Sequence, residues 1–569
     1  MEISKVILNG FRNYKSATIN FSKKSLIIGS NDCGKTNLIH SLRLLLDKSL
    51  SENDLEPCET DFNIDPKEGQ SDRLSIEIHF TNVVEDAVLS ILKGNVSSES
   101  KTILKYEANR IDLSYTLKCG PSQDYLTEIT SRFYLKYINL KYVKSTRDLE
   151  KFVSSEKRHL LRLAQESRSA EEIDLDQKQQ LKIEKSLDAI NKRVAKLNYV
   201  SNATSAVNNE LQKLSYDLTN YNIQLDSGAI QTQQFIDNLK LTASTSGSKI
   251  SLGGDGRNNQ ILMALWKAKS QREYDPESEV IFYCIEEPEA HLHPHQQRKL
   301  ADYLLQDLPG QTFITTHSPQ ITARYSPDSI INIICSERGS YAASDGCSHC
   351  IEKEWINFGY RMSVLPAEAF FSKCVLLVEG PSELLLYHEL ARRLDVDLDY
   401  YNISILSVDG IQFKVYTRVL NAMEIPWVVR TDNDIFKIEV ESVEKRNLAG
   451  LNRCLELARL PKLPHMDRET THQTLVDLLI FPQTCEKINP LGIYIAHRDL
   501  ETDLCLELPD ELKTFCSTTD LNAAVTFLQE KKAIRMRQFI EAHGESLTKA
   551  RNGDIAKPLY HCIVKASGL

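Results

Sequence analysis

Eight residues, Gly29-Ser30-Asn31-Asp32-Cys33-Gly34-Lys35-Thr36, restrict what this chain can fold into more than any other stretch. They follow a short apolar run, Leu26-Ile27-Ile28, and precede Leu38, Ile39, Leu42, Leu45 and Leu46 at helical spacing. A buried strand, a glycine turn and an amphipathic helix in that order call for an α/β sheet with the turn at its edge. The glycines let backbone N–H groups approach phosphates, and the helix N-terminus adds positive potential. In a G-x-x-x-x-G-K-[ST] loop, Lys35 reaches the β- and γ-phosphates and Thr36 ligates Mg²⁺. Gly29, Asn31, Gly34, Lys35 and Thr36 are thus the expected ATP-binding residues.

Around this loop the chain alternates like a β protein. Residues 2–8 and 16–21 read as strands about Phe11-Arg12-Asn13-Tyr14, and 74–80, 103–107 and 111–117 as further strands. Near residue 147 the character changes to charged and Gln-rich, with almost no Gly or Pro up to 221. Leu160, Leu163, Leu181, Leu187, Ile190, Val194 and Leu197 recur near helical spacing there. This reads as a helical insertion, either an antiparallel or dimerising arm or a solvated helix pair without a partner. Ser251-Leu252-Gly253-Gly254 before an apolar helix makes a second phosphate nest. Val280 to Ile285 is an apolar strand delivering Glu286-Glu287-Pro288-Glu289, a Walker B pattern. Glu286 would hold Mg²⁺ and Glu287 would orient or deprotonate the attacking water. Thr312 to Thr316 is another strand, placing His317 where it can contact a γ-phosphate.

The second half repeats the strand-then-acid pattern. Val375 to Val378 runs into Glu379-Gly380-Pro381-Ser382-Glu383, and Trp427 to Thr431 into Asp432-Asn433-Asp434. Two strands ending this way can gather Glu379, Glu383, Asp432 and Asp434 at one crevice, as hard divalent cations require. Ile403 to Val408 and 492–496 read as companion strands, the latter running into Asp499-Leu500-Glu501-Thr502-Asp503. Between the halves, 335–350 reads as a loop at a boundary. Cys335, Cys347 and Cys350 with His349 lack the second half of a zinc site, so their thiols read as incidental.

Composition excludes some classes. No run of eighteen or more uncharged apolar residues appears, so no membrane span is expected. The start lacks the basic and apolar regions of a signal peptide, and 13 scattered cysteines suit reduced thiols in a cytoplasm. A net charge of −10 does not mark a chain-wide polyanion binder, but phosphate affinity rests on local patches.

The P-loop, the Gly-Gly loop, Glu-Glu-Pro-Glu and Thr-His-Ser-Pro, in this order, resemble the ABC-type ATPase heads of recombination and chromosome-maintenance ATPases. That resemblance implies two heads closing face to face, with Gly254 as signature loop, Glu287 as catalytic base and His317 as switch. Glu-Gly at one strand end with Asp-x-Asp at another resembles the TOPRIM fold. An ABC head followed by a TOPRIM domain is similar to the OLD family of ATPase–nucleases. The motifs Val-Glu-Gly-Pro-Ser-Glu, Arg-Thr-Asp-Asn-Asp, Gly-Leu-Asn-Arg-Cys-Leu (450–455) and Asp-Leu-Glu-x-Asp-Leu resemble the nuclease subunits of Gabija anti-phage systems.

The resemblance implies two metals, Mg²⁺ or Mn²⁺, held by Glu379, Glu383, Asp432, Asp434, Glu501 and Asp503. It implies a C-terminal lysine at the transition state, Lys532 or else Lys531. It also implies double-stranded DNA as substrate, a homo-oligomer (dimer or tetramer) and a UvrD-like helicase partner. The expected fold is α/β. An ABC-type head in two lobes, 1–146 and 229–345, carries the helical insertion 147–228. A TOPRIM domain, 346–510, follows with its helical C-terminal part, 511–569. The expected function is a metal-dependent DNA endonuclease regulated by nucleotide. The alternative is a DNA-binding ATPase sensor whose TOPRIM domain is a scaffold.

Overall fold

A computed structural model describes residues 1–144, 161–162, 164–203, 205–214, 242–245, 248–251, 279–306, 308–347, 364–410, 412–440 and 442–568. Gly254, His349, Cys350, Leu160 and Leu163 lie outside these residues.

The N-terminal alternation produces β1 (Glu2–Phe11) and β2 (Tyr14–Asn20), and the run 26–28 lies in β3 (Lys24–Gly29), which feeds α1 (Lys35–Leu46). Next come β4 (Arg73–Thr81), β5 (Thr102–Asn109), β6 (Tyr115–Gly120) and β7 (Thr127–Ile129). These pair antiparallel in the order β2-β1-β4-β5-β6-β7. The strand expected over 111–117 starts only at Tyr115. Leu113 has φ 52 and Asn109 N donates to Ser114 O at 3.0 Å, so the preceding residues make the turn.

A second sheet is built from β8 (Ile138–Val143), β9 (Val280–Glu286), β10 (Gln311–Thr315), β11 (Ile330–Ser336) and β12 (Gly339–Ala342), with β3 inside it. Its order is β8-β9-β10-β3-β11-β12, parallel except for β12. Glu286 pairs in register with Thr315, and Thr315 with Ile27, so the ends of β9, β10 and β3 share one edge. Between the sheets, Leu38, Leu42 and Leu45 of α1 pack with Val6, Leu8, Phe282 and Phe313. Each such leucine contributes about 1.5–3 kcal/mol by burial.

The expectation of a loop from Cys335 is wrong at its start. Cys335 belongs to β11 and pairs with Ser340, and Gly339, at φ 103, begins β12. The apolar pair Ile333 and Ala342 closes this edge hairpin onto the core. Cys335 is exposed, whereas the Cys347 Sγ lies 3.7 Å from Ser25 Oγ.

The described part of the insertion is helical, over Ala170–Ala195, Asn198–Asn202 and Ser205–Leu214. Ser169 caps the first helix by accepting from Glu172 N, and Leu181, Ile190 and Val194 are exposed along it. No helix among the described residues is long and apolar enough to cross a membrane.

The second α/β unit of the chain has β13 (Cys374–Val378), α2 (Pro381–Arg393), β14 (Ile403–Ser407), β15 (Trp427–Thr431), α3 (Ala449–Leu457), β16 (Ile493–Ile495), α4 (Leu500–Glu507), α5 (Lys532–His543) and α6 (Lys557–Ser567). Its sheet is wholly parallel, in the order β14-β13-β15-β16. Leu376 and Val378 pack with Leu386 and Leu390 of α2, Phe539 of α5 and Leu559 of α6. Strands are added first on one side of β13 and then on the other, so the ends of β13 and β15 flank the switch point where ligands bind in open α/β sheets. The two sheet systems touch where Asn332 Nδ2 donates to Met423 O at 2.9 Å and Tyr341 OH to Glu424 at 3.0 Å.

Candidate functional site

The P-loop is held from below by the turn joining β1 and β2. Tyr14 OH donates to Gly34 O at 3.0 Å, and Asn13 Nδ2 to Cys33 O at 2.8 Å. A Cβ on Gly34 would stand 2.1 Å from Asn13 Nδ2, and one on Gly29 2.5 Å from Ile333 O, so both glycines are required by close approach. Lys35 Nζ donates to Gly29 O at 2.9 Å and Ser30 O at 2.7 Å, and burial pulls its pKa down. Asn31 is exposed on the loop and Thr36 in the first turn of α1. The supporting role of Asn13 and Tyr14 had no signal in the sequence beyond a turn, because it depends on a strand pair meeting a distant loop.

Across the sheet edge, Glu286 is 6% exposed and its Oε2 accepts from Tyr142 OH at 2.6 Å, leaving Oε1 without a partner. Glu287 sits at φ 42, and its Oε1 is 3.6 Å from His317 Nε2. Burial lowers the His317 pKa and nearby Lys35 adds to that, favouring a neutral imidazole. Glu289 Oε1 accepts from Thr316 Oγ1 at 2.7 Å and His317 N at 2.6 Å, which fixes the strand end carrying the histidine. The structure thus brings Lys35, Glu286, Glu287 and His317 to one edge. Gly254 lies outside the described residues.

In the second unit, Glu379 directly follows β13 and Glu383 lies in the first turn of α2, started by Pro381. Glu379 Oε1 accepts from Asp432 N at 2.8 Å and from Thr431 Oγ1, which ties the ends of β13 and β15 together. Lys532, first residue of α5, places Nζ 3.8 Å from Asp432 Oδ2. The structure therefore selects Lys532 over Lys531 for contact with the acids. Burial, then the charges of Glu501 and Glu379, push the Glu383 pKa up to about 7. Burial, then Glu379 and Glu383, push Asp432 up to about 8. Glu501 is 1% exposed, its Oε2 has no partner, and burial raises its pKa too.

Two of the expected ligands are held by arginines. Asp-Leu-Glu-x-Asp is the start of helix α4, capped by Asp499, rather than a strand end. Residues two apart on a helix diverge by roughly 200°. Glu501 accordingly joins the acids, while Asp503 is 2% exposed in an ion pair with Arg430 and 2.9 Å from His497 Nδ1. Burial works against the Asp503 charge, but Arg430 and His497 outweigh it and hold its pKa below the usual range. Asp434 lies past the end of β15, where alternation no longer governs, and its Oδ2 accepts from Arg453 Nη2 at 3.0 Å. The same nitrogen donates to Glu379 Oε1 and Asp432 O, each at 2.9 Å. Arg430 carried a sequence signal, a charge inside the apolar run Trp427 to Thr431. Arg453 carried none beyond its place in the 450–455 motif.

Among the described residues, no group of three or more His, Cys, Asp or Glu side chains is placed to hold a metal ion. The donor types, though not their present spacing, suit a divalent cation. Glu379, Glu383, Asp432 and Glu501 offer hard carboxylate oxygens, a buried one of them unpartnered, and their mutual charge raises the Asp432 pKa even with Lys532 beside it.

Residues 1–322 match the family described as AAA ATPase domain, and residues 370–434 match the TOPRIM domain of overcoming lysogenization defect protein-like chains. The chain is 25% identical to Endonuclease GajA of Bacillus cereus (strain VD045), over 95% of both proteins. It is 22% identical to the Old nuclease of Escherichia phage P2, over 76% of this chain and 77% of that one. A solved SmcHead bound to the C-winged helix domain of ScpA is 18% identical at a TM-score of 0.38, covering 60% of this chain and 97% of that one. With residues 1–322 matched as an AAA ATPase domain and 370–434 as a TOPRIM domain, this chain belongs to the AAA ATPase domain family and has the architecture of the OLD-family ATPase–nucleases.

Proposed function

We propose that this chain is a divalent-metal-dependent DNA endonuclease, controlled by nucleotide at its ATPase head and acting in anti-phage defence. The observation that carries the proposal is the approach of buried Glu383 and Glu501 to half-buried Glu379 and Asp432 beside Lys532. Glu379, Glu383, Asp432 and Glu501 would hold Mg²⁺ or Mn²⁺, with Asp434 and Asp503 as the remaining members of the implied set. Such a cation supplies water activation and charge neutralisation at a leaving 3′-oxygen. Lys532, half-exposed with its amine beside Asp432, would meet a DNA phosphate and the charge that develops on it. Burial works against the Lys532 charge, but Glu501 and Asp432 prevail and keep it protonated.

In the head, the P-loop residues Gly29, Asn31, Gly34, Lys35 and Thr36 would bind ATP and its Mg²⁺, with Glu286 as the second holder of the ion. Glu287 would orient the attacking water and His317 the γ-phosphate, with Gly254 as signature loop for a partner head. The contact from β11, beside the P-loop strand, to the turn before β15 offers a route for nucleotide control. Double-stranded DNA as substrate, a dimeric or tetrameric assembly, a UvrD-like helicase partner and a cytoplasmic location complete the proposal. They draw on the likeness to the Bacillus cereus endonuclease.

The test is plasmid nicking with Mg²⁺, Mn²⁺ or Ca²⁺, with and without ATP, in wild type and Glu379→Ala. Loss of cleavage in the variant supports the reading. Undiminished cleavage sinks it, and DNA-stimulated ATP turnover without cleavage under any metal would make the TOPRIM domain a scaffold.

A further inference from the structure

One carboxylate at the nucleotide edge is held by a phenol from the neighbouring strand. Tyr142 of β8 lies opposite Cys284 of β9 in the parallel pairing, two residues before Glu286. Residues two apart on a strand share a face, so the Tyr142 ring runs along the face that carries Glu286. Tyr142 OH donates to Glu286 Oε2 at 2.6 Å. The ring is itself fixed. The Arg43 guanidinium lies over it, 4.0 Å from its centre, and Arg43 Nε is 2.8 Å from Asp47 Oδ2. Arg43 stands seven residues, about two turns, beyond Thr36 on α1, a spacing that returns to the same helix face. The phenol thus links the acid that ends β9 to the α1 face that carries the P-loop threonine.

Glu286 needs such a hold. It is 6% exposed, and its stem has one more rotatable bond than that of an aspartate. A carboxylate in that position is costly unless its oxygens find partners. Tyr142 partners one oxygen, and Oε1 is buried with none. A free oxygen on a fixed carboxylate fits a ligand that arrives later. The Mg²⁺ that comes with ATP takes most of its ligands from phosphates, water and the P-loop hydroxyl, so it asks for one protein carboxylate rather than a cage of acids.

We propose that Tyr142 is a positioning residue for the nucleotide site, holding Glu286 by one oxygen so that Oε1 is presented to the Mg²⁺ of incoming Mg·ATP. Tyr142 acts through Glu286 and touches neither nucleotide nor ion. It governs the metal-linked part of nucleotide binding, while the P-loop holds metal-free nucleotide without it. This rests on the ATP site proposed above.

The experiment is equilibrium binding of a fluorescent, non-hydrolysable ATP analogue, N-methylanthraniloyl adenylyl imidodiphosphate, to the full chain, with Mg²⁺ and with EDTA, read by fluorescence polarisation. The quantity compared is the factor by which Mg²⁺ tightens binding. Tyr142→Phe should lower that factor about tenfold, as expected for a lost hydrogen bond to a charged group, and leave the affinity in EDTA within about twofold of wild type. In a Glu286→Asp background the carboxylate stops one methylene short of the phenol, and Tyr142→Phe should add nothing. An unchanged factor, equal weakening with and without Mg²⁺, or a wild type that Mg²⁺ does not tighten overturns the proposal and leaves nucleotide binding standing. No binding by wild type in either condition overturns both. Circular dichroism reports folding. If Tyr142→Phe does not fold, Glu286→Asp decides, a lowered factor supporting the hold and an undiminished one overturning it.

Discussion

Two clusters of acids sit at the C-terminal ends of parallel strands in this chain, and they are balanced differently. In the head, each glutamate has its own neutral or weakly charged partner: Tyr142 for Glu286, His317 for Glu287, and Thr316 for Glu289. In the TOPRIM domain the acids face one another, and Glu383 and Asp432 are forced toward protonation. On the proposed reading, the first site suits a ligand that brings its own cation, as a nucleotide with Mg²⁺ does, and the second suits a cation that must come to it.

The contrast is broken most directly by substituting one acid in each cluster. Asp432→Ala should lower DNA cleavage by a factor on the order of 10²–10⁴ while ATP turnover persists. Glu287→Gln should slow ATP turnover by a similar factor and leave Mn²⁺ uptake unchanged, as parallel nicking, phosphate-release and titration assays would show. Equal losses of both activities in both variants would erase the distinction.

Next in size is the acid that left the cluster. Asp503→Asn strands Arg430 without a countercharge in the core, and should cost about 3–5 kcal/mol in urea unfolding. A cost near zero would return Asp503 to the metal-facing group. Metal itself should stabilise one site only. At about a hundred times its dissociation constant, Mg²⁺ should add about 2.7 kcal/mol to the wild type and little to Asp432→Asn.

The smallest effect belongs to a buried acid that is paired in neither site. Glu77 is 4% exposed and lies 2.9 Å from Lys105 Nζ. Against the pull of burial, His79 and Lys105 hold its carboxyl below the usual pKa. Because the folded value is the lower one, its stabilisation is present above the unfolded carboxylate range and lost as pH falls through the folded value. Glu77→Gln should cost about 1–3 kcal/mol at neutral pH, with the gap to wild type closing in acid. A gap that widened in acid would contradict the sign.

Much of this was legible in the chain. The strand–loop–helix around Lys35 and the strands before Glu286, Glu379 and Asp432 all form where apolar runs meet acids or glycines. Those are local signals, set by side-chain period and turn chemistry. The edge hairpin of β11 and β12 was missed because its partner strand lies across a turn in a Cys- and Ser-rich segment that reads as loop.

The sequence by itself determined that there are two strand-end motifs, a P-loop and a set rich in carboxylates, and which residues belong to each. Only the tertiary structure decided which acids share a crevice. Glu501 and Asp503 are two residues apart, a spacing that puts them together on a strand and apart on a helix, and the chain is helical there. Arg430 and Arg453 then draw Asp503 and Asp434 to themselves across 73 and 19 residues of sequence, contacts that no local pattern encodes.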